Sequence, residues 1–296
     1  MMQSRIISSG SLKLDLALHS NGFLPGEIIV LRGKEESGKT LLCLAMLAEA
    51  AHQGLFGAIL DFDRSLEPVF AVRCGIDPHR TIFSQPKNIL ECMDIAEYLL
   101  DSKFLSLLVI DSVTTYTALE QENEIELNER SFSAFLPRII SLARKSGTIL
   151  VFTERWNSYN QPVYHHLKNH LPRLALHLRA GVRLEIHSQE PQSRSESGVK
   201  VKIKILRDKY GISRLPVDLF LMYNTLDIKN SEIIDLGLAY SIIKNQDTAF
   251  FYQGQLLGKN RKEASIYLRR FPEVSNDIEQ DIRNIYYAIR NGVITA

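Results

Sequence analysis

Four short apolar runs without polar alternation punctuate the first half of the chain. Ile28–Leu31 leads to Gly33, Ala58–Leu60 to Asp61 and Asp63, Leu107–Ile110 to Asp111, and Thr148–Phe152 to Thr153 and Glu154. Runs of this length and character are expected of strands buried on both faces of a parallel sheet. Each ends in polar residues, and open α/β sheets bind ligands at the carboxyl ends of their strands. Longer helical patterns lie between the runs, as at Leu41–His52 and Phe132–Lys145. The alternating order predicts an α/β core. The pattern then changes: Val182, Leu184 and Ile186 alternate with Arg183, Glu185 and His187, and Val201, Ile203 and Ile205 alternate with Lys200, Lys202 and Lys204. This predicts a hairpin with one buried and one wet face that extends the sheet, its strands separated by the polar stretch Gln189–Gly198. A last apolar run, Val217–Tyr223, completes a core domain over residues 1–228. A smaller domain is expected over 229–296, ending in the helical pattern Asp277–Arg290 with Gly292 behind it.

Composition narrows the functional classes. Hydrophobic residues make up 45% of the 296 and charged residues 23%, enough for a packed core. Lys plus Arg is 35 against 34 Asp plus Glu, so nucleic-acid binding would have to come from a local patch. Cys43, Cys74 and Cys92 form no CxxC pair, which argues against a disulfide framework and against a cysteine zinc site. No apolar stretch approaches the ~18 residues of a membrane span, and the N-terminal residues carry no signal-peptide core; the expectation is a cytoplasmic protein.

Gly33-Lys34-Glu35-Glu36-Ser37-Gly38-Lys39-Thr40 fits G-x-x-x-x-G-K-[ST]. The glycines let successive N–H groups turn inward around an anion, and the helix that begins near Leu41 points its positive end at the same place. In this motif Lys39 reaches the β- and γ-phosphates and Thr40 offers a hydroxyl to magnesium. Gly33, Glu36, Ser37, Gly38, Lys39, Thr40 and Leu41 are therefore the candidate phosphate-binding residues. Asp111 is the natural second magnesium carboxylate. The ligands expected of this motif are a nucleoside triphosphate and Mg2+.

Several further segments carry a more specific resemblance. They are Ile7–Asp15, Gly22–Glu27, Asp61–Ala71, Gly75-Ile76-Asp77, Ser84-Gln85-Pro86, Val109–Val113, Gly181–Ile186 and Ile234–Gly237. In this order they resemble the bacterial RecA family of strand-exchange recombinases over nearly the whole chain. The resemblance implies a RecA-type ATPase core, with a mostly parallel sheet and an antiparallel extension, followed by a small α+β domain. It implies that the nucleotide is ATP, with Glu67 and Phe70 holding its adenine, and that Tyr223 lies near it. It also implies that Arg207 and Lys209 reach the γ-phosphate of a neighbouring subunit. A solvated strand end is the plainer reading of those two cations.

The chain departs from the family pattern in four places. Asp63 stands where the family has the glutamate that positions the attacking water; its reach is shorter by about 1.5 Å, so slow hydrolysis is expected. Arg155 matches the family's glutamine that senses the γ-phosphate, and a register shifted by one residue puts Glu154 at that position instead. Of the two candidate DNA loops, the first, around Ala118–Arg130, carries Glu120, Glu122, Glu124, Glu126 and Glu129; it is expected to repel phosphates and reads equally as the start of a solvated acidic helix. The second, Trp156–Arg179, has Lys168, Arg173 and Arg179, four histidines, and Trp156, Tyr159 and Tyr164, and no acidic residue. That composition suits single-stranded DNA, and it also suits a protein-binding segment. A metal pair at His166 and His170 is the weakest alternative for it. Finally, the family's N-terminal polymerisation arm and acidic C-terminal tail have no counterpart here, so weak polymerisation is expected.

Two main functions stay open on these grounds. One is a DNA-dependent ATPase acting on single-stranded DNA in recombination or repair, with Asp63, Lys39, Arg207 and Lys209 as its catalytic residues. The other is a non-hydrolysing accessory protein that regulates recombination or translesion synthesis through partners. A metabolic kinase would share the phosphate loop and leave Glu67–Ala71 unexplained. The partners expected are single-stranded DNA and either a second copy of the chain or another RecA-family protein, with no membrane.

Overall fold

The computed structural model describes residues 5–113, 122–155, 171–189, 194–195, 198–209, 211, 216–222, 228–246 and 248–292. The chain divides into two compact units, one of residues 1–10 and 17–226, the other of 11–16 and 227–296. The second unit thus takes in Ser11–Leu16, a segment the sequence reading assigns to the core domain.

In chain order the helices and strands are α1 (Leu12–Ala17), β1 (Ile28–Gly33), α2 (Lys39–His52), β2 (Phe56–Asp61), α3 (Pro68–Arg73), β3 (Thr81–Ser84), α4 (Ile89–Asp101) and β4 (Leu105–Asp111). Then follow α5 (Glu122–Ser146), β5 (Ile149–Arg155), α6 (Leu171–Arg179), β6 (Val182–Ser188), β7 (Arg194–Ser195), β8 (Gly198–Asp208) and β9 (Val217–Met222). The smaller unit adds α7 (Ile228–Ala239), β10 (Ile243–Gln246), β11 (Ala249–Tyr252), β12 (Gln255–Gly258), α8 (Arg261–Arg270) and α9 (Pro272–Arg290).

The first unit is built on one sheet in the order β3-β2-β4-β5-β1-β6-β8-β7, with β9 also paired to β8. From β3 to β6 every pairing is parallel. β8 runs antiparallel to β6, β7 and β9, which is the antiparallel extension expected from the alternating residues. The apolar runs are buried because helices cover the parallel strands. On one face Ile28, Val30, Leu60, Leu108, Leu150 and Phe152 pack against α4, α5 and α6. This topology brings the carboxyl ends of β1, β2, β4 and β5 to one edge of the sheet, and with them Gly33, Asp61, Asp111 and Arg155.

Both candidate DNA loops carry helix. Of the two readings of the acidic stretch 118–130, the structure has the acidic helix start: it is helical from Glu122 onward, as the start of α5. Its Glu-rich composition has good helix propensity, and carboxylates in a first turn favour the helix macrodipole. Likewise the basic, aromatic segment becomes helix α6 from Leu171. Residues 156–170, with Trp156, Tyr159, Tyr164, His166, Lys168 and His170, lie outside the described residues.

In the second unit, Leu12 and Leu16 of α1 pack with Ile233, Ile234, Phe250, Leu257, Leu268, Ile278 and Ile282 around a separate core. Its three-stranded antiparallel sheet, β10-β11-β12, supplies the β part of the small α+β domain that the resemblance implies. No helix among the described residues is long and apolar enough to cross a membrane.

Candidate functional site

The phosphate-loop motif forms the turn between β1 and α2. Gly38 caps the helix with φ of +98°, and Glu36 is also left-handed at +54°. Alternating turns of this kind aim consecutive backbone N–H groups into one concavity, an anion nest. A Cβ at Gly33 would lie 2.5 Å from the Ile186 carbonyl oxygen and from Ser37 Oγ, so only glycine fits there. The Lys39 ammonium folds back over the loop, donating to the Gly33 oxygen at 3.0 Å and the Lys34 oxygen at 2.7 Å. Burial pushes this ammonium below the usual lysine range; Asp111 opposes that effect and Arg155 adds to it. An anion beside Lys39 would reverse the cost of burying it. A cavity of about 270 Å³ opens here, lined among others by Ser37, Lys39, Thr40, Leu41, Phe70 and Val199. An anion nest, a cation and an aromatic ring thus share one concave site.

Asp111 ends β4 directly beside the loop. Its Oδ2 accepts a hydrogen bond of 2.6 Å from Thr40 Oγ1, and its Oδ1 accepts one from Thr153 Oγ1. Burial pushes the Asp111 carboxyl above the usual range, against these two hydrogen bonds, which favour the ionised form. A hydroxyl and a carboxylate converging in a buried place are the hard oxygen donors that magnesium takes, with substrate phosphates and waters completing its shell. The donor set therefore fits Mg2+. The sequence reading missed Thr153; only the pairing of β4 with β5 brings it to Asp111.

Asp63 lies in the turn after β2, held over Asp111 by a hydrogen bond of 2.6 Å from the Phe62 N–H to the Asp111 carbonyl. Asp61, two residues earlier, accepts from the Ser65 and Leu66 N–H groups and from Gln85 Nε2, and so shapes the turn. The Asp63 side chain is almost buried and accepts from Ser112 Oγ at 3.2 Å. Its other oxygen is held by Arg155 Nη2 at 2.8 Å. Arg155 also reaches Glu35 of the phosphate loop, with Nη1 at 2.7 Å from Oε1. Glu154, its neighbour, points elsewhere and pairs with His177 of α6 at 2.8 Å.

Other expected site residues stand apart from this cluster. Phe70 of α3 lines the cavity, and Glu67 sits exposed at the N-cap of the same helix. Arg207 and Lys209 lie toward the opposite end of the sheet. Arg207 is level with Arg183 and Asp208 with Val182, whereas Gly33 of the phosphate loop is level with Ile186. From Val182 to Ile186 is four residues along β6, about 13 Å of strand. Arg207 donates to the Leu178 carbonyl at 3.2 Å, and the Lys209 N–H to that of Gly181 at 3.0 Å. Tyr223 lies outside the described residues.

Comparison with known proteins agrees with this architecture. Residues 1–226 match the family model of the RecA N-terminal domain, and residues 231–287 that of the RecA C-terminal domain. The chain is 32% identical over 286 residues to Protein RecA of Mycoplasma mycoides, covering 94% of this chain and 83% of that one. It is 31% identical over 299 residues to Protein RecA of Bacillus subtilis, covering 97% and 85%. Among solved structures, the RadB recombinase superposes with a TM-score of 0.56 at 21% identity, over 73% of this chain and 96% of that one, a likeness of fold.

Proposed function

Because this chain belongs to the RecA family, we propose that it binds Mg·ATP at the phosphate loop and hydrolyses it slowly while engaged on single-stranded DNA, in recombination or repair. One observation supports the reading: Lys39 and Thr40 of the phosphate loop and Phe70 of α3 line a single cavity, and Thr40 is hydrogen-bonded to Asp111. In this reading the loop amides and Lys39 hold the β- and γ-phosphates. Thr40 and Asp111 hold the magnesium, and Phe70 and Glu67 receive the adenine. The magnesium supplies charge neutralisation on the phosphates. Asp63 orients the water that attacks the γ-phosphate, within reach of Ser112. Arg207 and Lys209 serve the site of a second copy, because their own strand end is remote from their own loop. Residues 156–179 supply the cations and aromatic faces for single-stranded DNA.

A second reading is favoured by the pairing of Asp63 with Arg155. A carboxylate engaged by a guanidinium is poorly placed to orient water, so the chain would bind ATP as a structural ligand and act through protein partners. Calorimetry and turnover measurements separate the two. The first reading expects Mg·ATP binding that is lost in Lys39→Ala, and phosphate release that rises with single-stranded DNA. Binding without any release above that of Lys39→Ala would establish the second reading. Absence of binding would overturn both.

A further inference from the structure

The fold makes partners of Asp63 and Arg155, which stand 92 positions apart in the sequence. Arg155 ends β5 level with Gly33, the first residue of the phosphate loop. Asp63 follows β2, whose last residue is level with Asp111. Between these ends the Arg155 guanidinium bridges Asp63 at 2.8 Å and Glu35 at 2.7 Å. The two contacts differ in quality. The Glu35 side chain is 70% exposed, and a pair of that kind is worth little. The Asp63 side chain is 7% exposed and is steadied by Ser112. The guanidinium carries positive charge toward Lys39, the residue expected to touch the outer phosphates. Its planar fork binds carboxylate and phosphate oxygens in the same bidentate manner. A terminal phosphate seated beyond Lys39 would therefore compete with Asp63 for the same donors.

We propose that Arg155 exchanges Asp63 for the terminal phosphate of a bound nucleoside triphosphate. One residue then does two things. It favours triphosphate over diphosphate, because only the triphosphate offers the competing oxygens. It also frees the Asp63 carboxylate toward the water it orients, so that the base is released only when there is something to hydrolyse. Arg155 is in this sense a positioning residue for Asp63. The proposal rests on nucleotide binding at the phosphate loop, and its test is a binding ratio that does not require turnover.

The experiment is calorimetric titration of the full chain with Mg·ADP and with the magnesium complex of a non-hydrolysable ATP analogue. The proteins are the unmodified chain, Arg155→Gln, Asp63→Asn and the double variant. Arg155→Gln is expected to weaken the analogue about tenfold, the size of one charge-assisted hydrogen bond, and to leave ADP unmoved. Asp63→Asn removes the competitor and is expected to tighten the analogue severalfold, again without moving ADP. In the double variant that tightening is expected to vanish, because the residue being released is gone. Equal shifts of analogue and ADP in Arg155→Gln would overturn the exchange. So would an Asp63→Asn variant that binds the analogue no more tightly. A tightening that persists at full size in the double variant would be simple relief of repulsion and would also overturn it. Failure of the unmodified chain to bind either nucleotide would overturn the ATP-binding reading as well, which distinguishes the two failures.

Discussion

The carboxyl of Glu232 in the smaller unit makes a pH prediction that can be worked through quantitatively. Glu232 is on α7 and is 4% exposed. Ser11 Oγ lies 2.9 and 3.0 Å from its two oxygens, and the Lys13 N–H donates to it at 3.0 Å. These contacts tie α1 to α7. Burial nevertheless dominates and pushes the carboxyl up to about 7, with the hydrogen bonds and Lys13 opposing and Asp15 assisting. The folded state therefore holds the proton more tightly than the unfolded chain. Below pH ~4.5 both states are protonated and the group has no effect on stability. As pH rises, the unfolded chain ionises first, and stability falls until the folded carboxyl also ionises near 7. At about 1.4 kcal/mol per tenfold change in proton affinity, the loss across this window is about 3 kcal/mol. Glu232→Gln keeps the shape and the hydrogen-bonding capacity and removes the titration. Chemical denaturation of the full chain at pH 5 and pH 8, followed through amide exchange of Ile233 and Ile234, should show the variant gaining about 3 kcal/mol on the unmodified protein over that interval. A carboxyl carbon resonance that titrates at the ordinary glutamate value, or parallel pH profiles for the two proteins, would refute the reasoning.

Four other outcomes are expected. Asp111→Asn should weaken Mg·ATP much more than metal-free ATP, measured by titration with and without magnesium, because it removes the charge of the cation site and leaves the phosphate loop intact. Gly33→Ala should lower stability by about 1–3 kcal/mol in denaturant melts, since its methyl group meets a backbone oxygen that cannot move aside. Phe70→Ala should cost about 1–3 kcal/mol of ATP affinity and leave tripolyphosphate binding unchanged, if the ring is the platform for the base. Lys39→Ala and Arg207→Ala, each inactive alone in phosphate release, should together regain about a quarter of the unmodified rate when mixed in equal amounts, the fraction of correctly assorted neighbours under random assembly. No recovery would show that Arg207 does not serve a second copy.

Much of the first unit can be read from the chain, because burial on both faces of a parallel sheet leaves an unmistakable residue pattern. The runs at Ile28, Ala58, Leu107 and Thr148 become β1, β2, β4 and β5, and the alternating segments at Val182 and Val201 become β6 and β8. β3 is harder to see. It is a four-residue edge strand with mixed exposure, so it carries little periodic signal. The same holds for β10, β11 and β12, short strands that pack on helices of the smaller unit. The joining of Ser11–Leu16 to that unit is invisible locally. It depends on Leu12 and Leu16 entering a core more than two hundred residues away in sequence, and on Ser11 meeting Glu232.

The site divides along the same physical line. A phosphate loop is contiguous, so its glycines, its lysine and its threonine announce themselves together. The partners that decide what the loop does are scattered over three strand ends, and each is unremarkable where it stands. Asp63 reads as a shortened base and Arg155 as a lost sensor, two separate defects that suggest a weakened ATPase. Strand register changes that inference. Parallel pairing of β4 with β2 and β5 brings Asp63, Ser112, Thr153 and Asp111 to one place. The pairing of β1 with β5 sets Arg155 against the loop. A shorter acidic side chain leaves room for a longer basic one, and the guanidinium fills it at hydrogen-bond distance.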